Sequence, residues 1–152
     1  MLPILQVVFD ARCLVCLLLI AGLVGCGDGR PSRSPVSGLI KIDGAPLKEG
    51  SVGFKPVAGG RAARGRIEAG RYTVTTYTKG DGLPDGEYFV TVEAFEALSE
   101  TKVRWLAPKR YSVRKTADLR ATIKEETDSL DFDLTWKDSG SGHDAPWVES
   151  LN

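Results

Sequence analysis

The stretch Tyr88-Phe89-Val90-Thr91-Val92-Glu93-Ala94 shows the clearest two-residue periodicity in the chain. Apolar side chains at positions 88, 90, 92 and 94 alternate with positions 89, 91 and 93. Because successive side chains of a β-strand point to opposite faces of a sheet, this pattern predicts a strand with one buried face. We therefore expect Val90 and Val92 in the core and Phe89 and Glu93 on the outer face. Tyr88 occupies the position of a tyrosine corner, in which the hydroxyl bonds to backbone upstream.

Six further segments have the same period and are separated by turn residues such as Asp43-Gly44 and Ala69-Gly70. No stretch after residue 26 has a sustained period of 3.6, which disfavours alternating strands and helices. The pattern predicts an all-β domain over residues 36–136, a seven-stranded antiparallel Greek-key β-sandwich with Phe132 in its core. The connection 97–118 is expected to cross between sheets or to reach the far edge. The six segments are 36–42, 51–55, 66–68, 71–76, 119–123 and 130–136.

The uncharged run from Cys13 to Gly25 is about a dozen residues long, whereas a membrane-spanning helix needs about 20. Its length fits the apolar part of a secretory signal. The run ends in Leu23-Val24-Gly25-Cys26, which resembles the bacterial lipobox. The resemblance implies a signal peptide over residues 1–25 and a diacylglyceryl group on Cys26. It also implies an exported protein anchored in the cell membrane or outer membrane, facing the periplasm or the cell surface.

Two alternatives for this region stay open, an ordinary signal peptide and a short internal apolar segment, both with Cys26 unmodified. Residues 27–35 carry no large apolar side chain, so residues 26–35 are predicted to be a flexible, lipid-anchored linker. The polar, Ser- and Gly-rich residues 137–152 are predicted to be a flexible C-terminal tail. Trp147 within it either docks on the domain or stays loose.

Charge and cysteine content exclude several classes of function. The chain has 20 basic and 20 acidic residues, so no bulk attraction to nucleic acid is expected. Of the three cysteines, Cys13 and Cys16 lie in the segment predicted to be removed. With one cysteine left, neither an intramolecular disulfide nor a thiolate metal cluster can form. We expect no metal and no cofactor.

A second resemblance spans residues 36–136. The opening Val36-Ser37-Gly38 and the motif Asp43-Gly44-Ala45-Pro46-Leu47 are similar to bacterial lipoproteins with a carboxypeptidase regulatory-like, transthyretin-like domain. The resemblance implies a prealbumin-like β-sandwich with no assigned catalytic residues. Further similar segments are 50–54, 70–72, 80–88, 108–111 and 131–134.

Groups suited to catalysis are few. The single histidine, His143, lies in the polar tail, where a base is not held rigidly enough to transfer a proton. Asp131 and Asp133 are expected on one outer face about 7 Å apart, either as solvated side chains or as a glycosidase-like pair. Asp81 and Asp85 lie in a glycine-rich loop and read as ordinary turn residues or as calcium ligands. We expect the protein not to be an enzyme.

Positive charge is concentrated between residues 102 and 120. This segment contains seven basic residues and one acidic residue. The segment is either a solvated crossover loop with Trp105, Leu106 and Tyr111 packed beneath it, or a contact with an anionic envelope surface. The residues proposed for that contact are Lys109, Arg110, Arg114 and Lys115. Together these observations favour a non-catalytic structural or protein-binding module of the cell envelope. The alternative is a domain that binds carbohydrate or a cell-wall polymer; no small-molecule substrate is identified.

Overall fold

The computed structural model describes residues 29–137, 143 and 145–151. All strands belong to the compact unit Ser32–Asn152. This unit is all-β, and its sheets are mainly antiparallel. The strands are β1 (Ser37–Ile42), β2 (Ala45–Pro46), β3 (Glu49–Pro56), β4 (Ala63–Glu68), β5 (Arg71–Thr75), β6 (Gly86–Glu93), β7 (Phe95–Ser99), β8 (Lys102–Trp105), β9 (Leu119–Ile123), β10 (Phe132–Leu134) and β11 (Trp147–Ser150), with a 3₁₀ turn at Lys109–Ser112.

Two sheets make up the described structure. The large sheet has the order β10-β1-β5-β4-β3-β6-β9, with β2 paired to β1, and it curls into a half-barrel. The small sheet has the order β11-β8-β7. Among the described strands, β1 and β10 pair in parallel, and an isolated bridge between Val36 and Thr127 has the same direction. The predicted all-β class is confirmed, whereas the predicted count of seven strands is not, because the segments that form β2, β7, β8 and β11 are too short or too weakly alternating to be recognised.

One hydrophobic core lies against the inner face of the large sheet. Val90 and Val92 are fully buried and Glu93 is exposed, as the alternation of β6 predicts. Phe132 is only partly buried, although Leu134, two residues later on the same edge strand, is fully buried. Its full burial was therefore predicted wrongly. The largest fully buried side chains are Tyr88, Phe54, Ile40, Leu47, Ile67, Leu83 and Leu134.

The hairpin β4–β5 turns at Ala69-Gly70, as predicted. Both residues have positive φ, +49° and +82°, which is the geometry of the two-residue turns that match strand twist. This tight turn fixes the register, so that Ile67 lies opposite Tyr72 and Arg66 opposite Thr73. The inner and outer faces of both strands follow from that register.

The connection between β6 and β9 is not a plain loop. It contains the hairpin β7–β8 and the 3₁₀ turn, and then β9 pairs antiparallel with β6 at the edge of the large sheet. The connection passes through the small sheet, as one of the two expected routes requires, but it does not lead to the far edge of the large sheet, because β9 lies next to β6. The hairpin within it was not predicted. The 3₁₀ turn places Tyr111 in the core.

The N-terminal end of the domain is held by backbone pairing. Ser34 and Leu83 exchange two hydrogen bonds of 2.8 and 3.0 Å, and Arg33 contacts Asp81 at 3.0 Å. The predicted signal peptide, the lipobox Leu23-Val24-Gly25 and the lipidation residue Cys26 lie outside the described residues. Within the part that the structure describes, we find no helix with the length and apolar character needed to cross a membrane.

Candidate functional site

The outer face of β4 and β5 carries a row of polar side chains produced by strict alternation. In β4, Ala63, Gly65 and Ile67 are buried, so the side chains between them face outward. In β5, Tyr72 and Val74 are buried, so the side chains on either side of them also face outward. The outward residues are Arg64, Arg66 and Glu68 on β4 and Arg71, Thr73 and Thr75 on β5.

These side chains, together with Lys79 and Gly80 from the loop after β5, line an open groove of about 740 Å³. The register places Arg64 opposite Thr75, Arg66 opposite Thr73 and Glu68 opposite Arg71. Each arginine therefore has a hydroxyl or a charged group directly across from it. We call this surface the β4–β5 groove.

The β4–β5 groove is strongly cationic for a chain of zero net charge. Four basic side chains line it and Glu68 supplies the one carboxylate of the lining. Glu68 pairs with Arg66 at 2.9 Å, but both side chains are largely exposed, so the pair is weak. Among the described residues, no carboxylate lies within salt-bridge distance of Arg64, Arg71 or Lys79.

A smaller groove of about 180 Å³ adjoins the first across β3 and β6 and shares Arg64 with it. Gly53 forms its floor, opposite Arg64 on one side and Thr91 on the other. A Cβ atom added at Gly53 would lie 2.9 Å from Thr91 Oγ1, so the depression exists because the residue is glycine. Lys55 and Glu93 also line this groove.

The four basic residues predicted to contact an anionic surface are not equivalent. Lys109 Nζ donates to Glu149 Oε1 at 2.6 Å, and Arg110 donates to the Tyr111 hydroxyl at 2.7 Å. Arg114 and Lys115 are exposed, and Arg114 lies over the Phe89 ring at 5.2 Å. Lys109 and Arg110 therefore make contacts within the fold, whereas Arg114 and Lys115 are the more exposed pair.

Trp147 docks on the domain, which settles the question that the sequence left open. Its strand β11 pairs with β8, and the register aligns Trp147, Trp105 and Phe95 across three strands. Ring centroids of Trp105 and Trp147 are 5.7 Å apart in an edge-to-face contact. His143 packs against Trp147 at 4.5 Å. This aromatic row holds the C-terminal segment and does not form a flat platform for a sugar ring.

Glu149 completes the attachment of β11. Its Oε2 accepts a 2.7 Å hydrogen bond from Trp105 Nε1, and its Oε1 accepts the bond from Lys109. The hydrogen bond from Lys109, followed by that from Trp105, holds the pKa of Glu149 below its usual range. Lys109 Nζ also lies 5.0 Å from the centroid of the Trp105 ring, so its charge is used within the fold.

The carboxylates considered for catalysis bind backbone instead. Asp131 Oδ1 accepts from the Leu39 N–H at 2.8 Å, and Asp133 Oδ1 accepts from the Gly44 N–H at 3.2 Å. Both contacts join the strand β10 region to β1 and its following turn. Asp131 and Asp133 therefore pin an edge strand in place.

Asp81 anchors the loop that follows β5. The side chain is only 12% exposed, and its oxygens accept from the N–H groups of Thr76, Tyr77 and Thr78 at 2.7 to 3.3 Å. Burial alone would raise the pKa of Asp81, but these N–H donors and Arg33 outweigh it and lower the pKa. The carboxylate is thus saturated by donors, an arrangement unlike a calcium ligand.

The hydroxyl groups of two buried tyrosines donate hydrogen bonds to backbone carbonyls. Tyr88 donates to the Pro84 carbonyl at 2.7 Å, which confirms the predicted tyrosine corner. Tyr72 donates to the Leu130 carbonyl at 2.5 Å, and burial followed by the charge of Asp131 raises its pKa above the ordinary value. Phe89 lies on the outer face, as expected, between Arg114 and Arg120.

The β4–β5 groove was not predicted from the sequence. A signal for it exists, because Arg64, Arg66 and Arg71 occupy alternating outward positions of one hairpin. The density of charge along the chain pointed to residues 102–120 instead. The groove was missed because its residues lie on two strands and become neighbours only when the strands pair.

Among the described residues, no three His, Cys, Asp or Glu side chains converge to hold a metal ion. Comparisons with protein-family models, with curated proteins and with solved structures find no match.

Proposed function

We propose that this chain is a lipid-anchored cell-envelope protein whose β domain acts as a non-catalytic structural or protein-binding module. The proposal of a non-catalytic role rests on the hydrogen bonds that the acidic side chains make within the fold. Asp81, Asp131 and Asp133 each accept hydrogen bonds from backbone N–H groups, which fixes them as parts of the fold. A general acid or base must be positioned to reach a proton of the substrate, whereas these carboxylates are positioned by contacts within the fold.

We further propose that the two sheets elaborate the prealbumin-like Greek-key sandwich of carboxypeptidase regulatory-like domains. The order of four strands supports this: β3, β4 and β5 follow one another in the sheet and β6 returns beside β3. Three consecutive strands and a fourth that returns beside the first define a Greek key. The motifs quoted from residues 36–54 and 80–88 support the same relation.

The lipid anchor rests on Leu23-Val24-Gly25-Cys26, which follows an apolar run of signal-peptide length. Two acyl chains on one residue would hold the protein firmly at the membrane. Metabolic labelling with a fatty-acid probe tests the anchor: the wild-type chain should take up label, and Cys26→Ser should take up none and leave the membrane fraction. A wild-type chain without label would refute the anchor.

The module itself is tested by affinity capture from envelope extract with the full chain. A structural or protein-binding role predicts a specific envelope protein that is captured by wild type. The matched control is a chain in which Asp81→Ala disrupts the loop after β5. Recovery of no partner by either chain would leave the second candidate function as the better description.

That second candidate is binding of a carbohydrate or wall polymer, and the β4–β5 groove is the observation that favours it. Its cationic side chains are exposed and its volume suits a ligand of several rings. Within the segment 109–115, Arg114 and Lys115 are the residues that could add contact to an anionic envelope surface, because Lys109 is bound to Glu149.

A further inference from the structure

We propose that the β4–β5 groove binds an acidic polysaccharide of the cell envelope, with the carboxylates of the polymer on Arg64, Arg71 and Lys79. The proposal rests on the second candidate function and names the class of its ligand. It concerns a linear chain lying over the two strands, in contact with side chains that the fold leaves outward.

Charge complementarity is the first argument. Arg64, Arg71 and Lys79 have no carboxylate within salt-bridge distance in the described part of the chain, so their charges face the groove and solvent. Arginine offers a planar pair of N–H donors that matches a carboxylate in a bidentate bond. A polyanion would gain contacts here without breaking an internal ion pair of these three residues.

Spacing along the strand is the second argument. Arg64 and Arg66 are two residues apart on β4, which places them about 7 Å from each other on one face. Thr73 and Thr75 lie directly opposite them on β5. The groove therefore alternates cationic donors with hydroxyl groups, which suits a chain that alternates carboxylates with neutral sugar hydroxyls.

The composition of the lining argues against other ligands. Neutral sugars and single-stranded nucleic acids are commonly held by stacking on exposed aromatic rings, but the one aromatic residue of this lining, Tyr72, is 3% exposed. The groove is open to solvent, so a linear polymer can enter it from the side. An acidic polysaccharide fits both the charge and the shape.

The adjoining smaller groove extends the path of the chain. Thr75, Arg64, Gly53 and Thr91 lie in one cross-strand row over β5, β4, β3 and β6. Because Gly53 has no side chain, the row stays open at its centre. A polymer longer than the β4–β5 groove could continue over Gly53 towards Lys55.

The experiment measures binding of the full chain, purified in detergent, to immobilised polygalacturonate. Neutral dextran and vesicles of phosphatidylglycerol are the comparison ligands. The proposal predicts binding to polygalacturonate that weakens from 0.1 to 1 M salt, as the Debye length falls from about 10 to about 3 Å. Dextran should not bind. Equal or stronger binding of the delipidated Cys26→Ser chain to the vesicles would overturn the proposal in favour of a membrane contact.

The decisive variant is Arg64→Gln, Arg71→Gln and Lys79→Gln in one chain, expected to weaken polygalacturonate binding about tenfold or more. The matched control removes three exposed lysines outside both grooves, Lys102→Gln, Lys124→Gln and Lys137→Gln, and should retain most of the binding. Thermal melts of both chains establish that each is folded.

An equal loss in the two triple variants would mean that net charge alone drives binding and would overturn the groove as the site. Absent binding by wild type would overturn the ligand class. Neither result affects the fatty-acid labelling of Cys26 or the capture of an envelope protein, so failure here is distinguishable from failure of the proposed envelope function.

Discussion

The indole N–H of Trp105 donates a 2.7 Å hydrogen bond to the carboxylate of Glu149, a residue 44 positions later in the chain. Trp105 is 8% exposed, and β8 aligns its ring with those of Phe95 and Trp147. The C-terminal strand β11 is thus attached by a buried donor and a row of rings. Removal of either should release β11 while the large sheet stays folded.

The attachment of β11 should depend on pH through Glu149. Because its folded pKa lies below the unfolded value of about 4.3, the ionised carboxylate stabilises docking above that value. The contribution is lost as pH falls through the lower folded pKa. The indole N–H resonance of Trp105, followed from pH 7 to pH 2, should shift towards its free position in that acid range. Glu149→Gln should weaken docking at pH 7, while Glu126→Gln, on an exposed residue, should not. A Trp105 signal unchanged by acid and by Glu149→Gln would contradict this role.

Asp81→Ala should destabilise the domain by about 1–3 kcal/mol, because it leaves several N–H groups of residues 76–78 without their acceptor. Since the folded pKa of Asp81 is lowered, its contribution is present above the unfolded pKa of about 3.9 and disappears as pH falls below it. Urea melts at pH 7 and pH 3 measure both effects. The exposed neighbour Asp85 supplies the control Asp85→Ala, for which equal cost would show that the loop position, not the carboxylate, matters.

Gly82→Ala should be among the most damaging loop substitutions, because Gly82 is buried. Gly82 has φ of +75°, and a Cβ there would collide with the Ser34 carbonyl, which pairs with Leu83. Gly59→Ala is the matched control, because Gly59 also has positive φ, +87°, with nothing within 4 Å of the added atom. The control should cost about 1–2 kcal/mol from backbone strain alone and Gly82→Ala clearly more. Equal melting temperatures would mean that residues 33–35 do not pack on this loop.

The sequence predicts the strands that have a single buried face. Alternation in β1, β3, β4, β5, β6 and β9 is explicit, and their inward side chains form the core. The small sheet was not predicted because β7 and β11 carry apolar residues on both faces, with Leu98 following Ala97 and Val148 following Trp147. Such a pattern cannot be assigned a buried face before the partner strand is known. The strand β8 alternates but is only four residues long.

The candidate site was harder to predict for a related reason. Arg64 and Thr75 are direct neighbours across a hairpin but lie eleven positions apart in the chain. Clustering of charge along the chain instead selected Lys109, whose charge is used by Glu149 from the C-terminal strand. Register and long-range pairing, which local patterns do not encode, decide which charges remain available.

The contrast between two phenylalanines tests the packing of the large sheet. Phe54 lies on the inner strand β3, is 1% exposed and contacts the rings of Tyr72 and Tyr88. Phe54→Ala should therefore cost about 3–5 kcal/mol in the free energy of unfolding. Phe132 packs only partly on the core from the edge strand β10, so Phe132→Ala should cost less than about 3 kcal/mol. Glu93→Ala, on the outer face of β6, should stay within about 0.5 kcal/mol of wild type.

Denaturant melts of the three variants give the ranking directly, provided that the slope with denaturant is unchanged. The expected order is Phe54, then Phe132, then Glu93. A cost for Phe132→Ala as large as that for Phe54→Ala would contradict the partial burial of Phe132. A large cost for Glu93→Ala would require the register of β6 to differ by one residue, since such a shift exchanges the two faces of the strand.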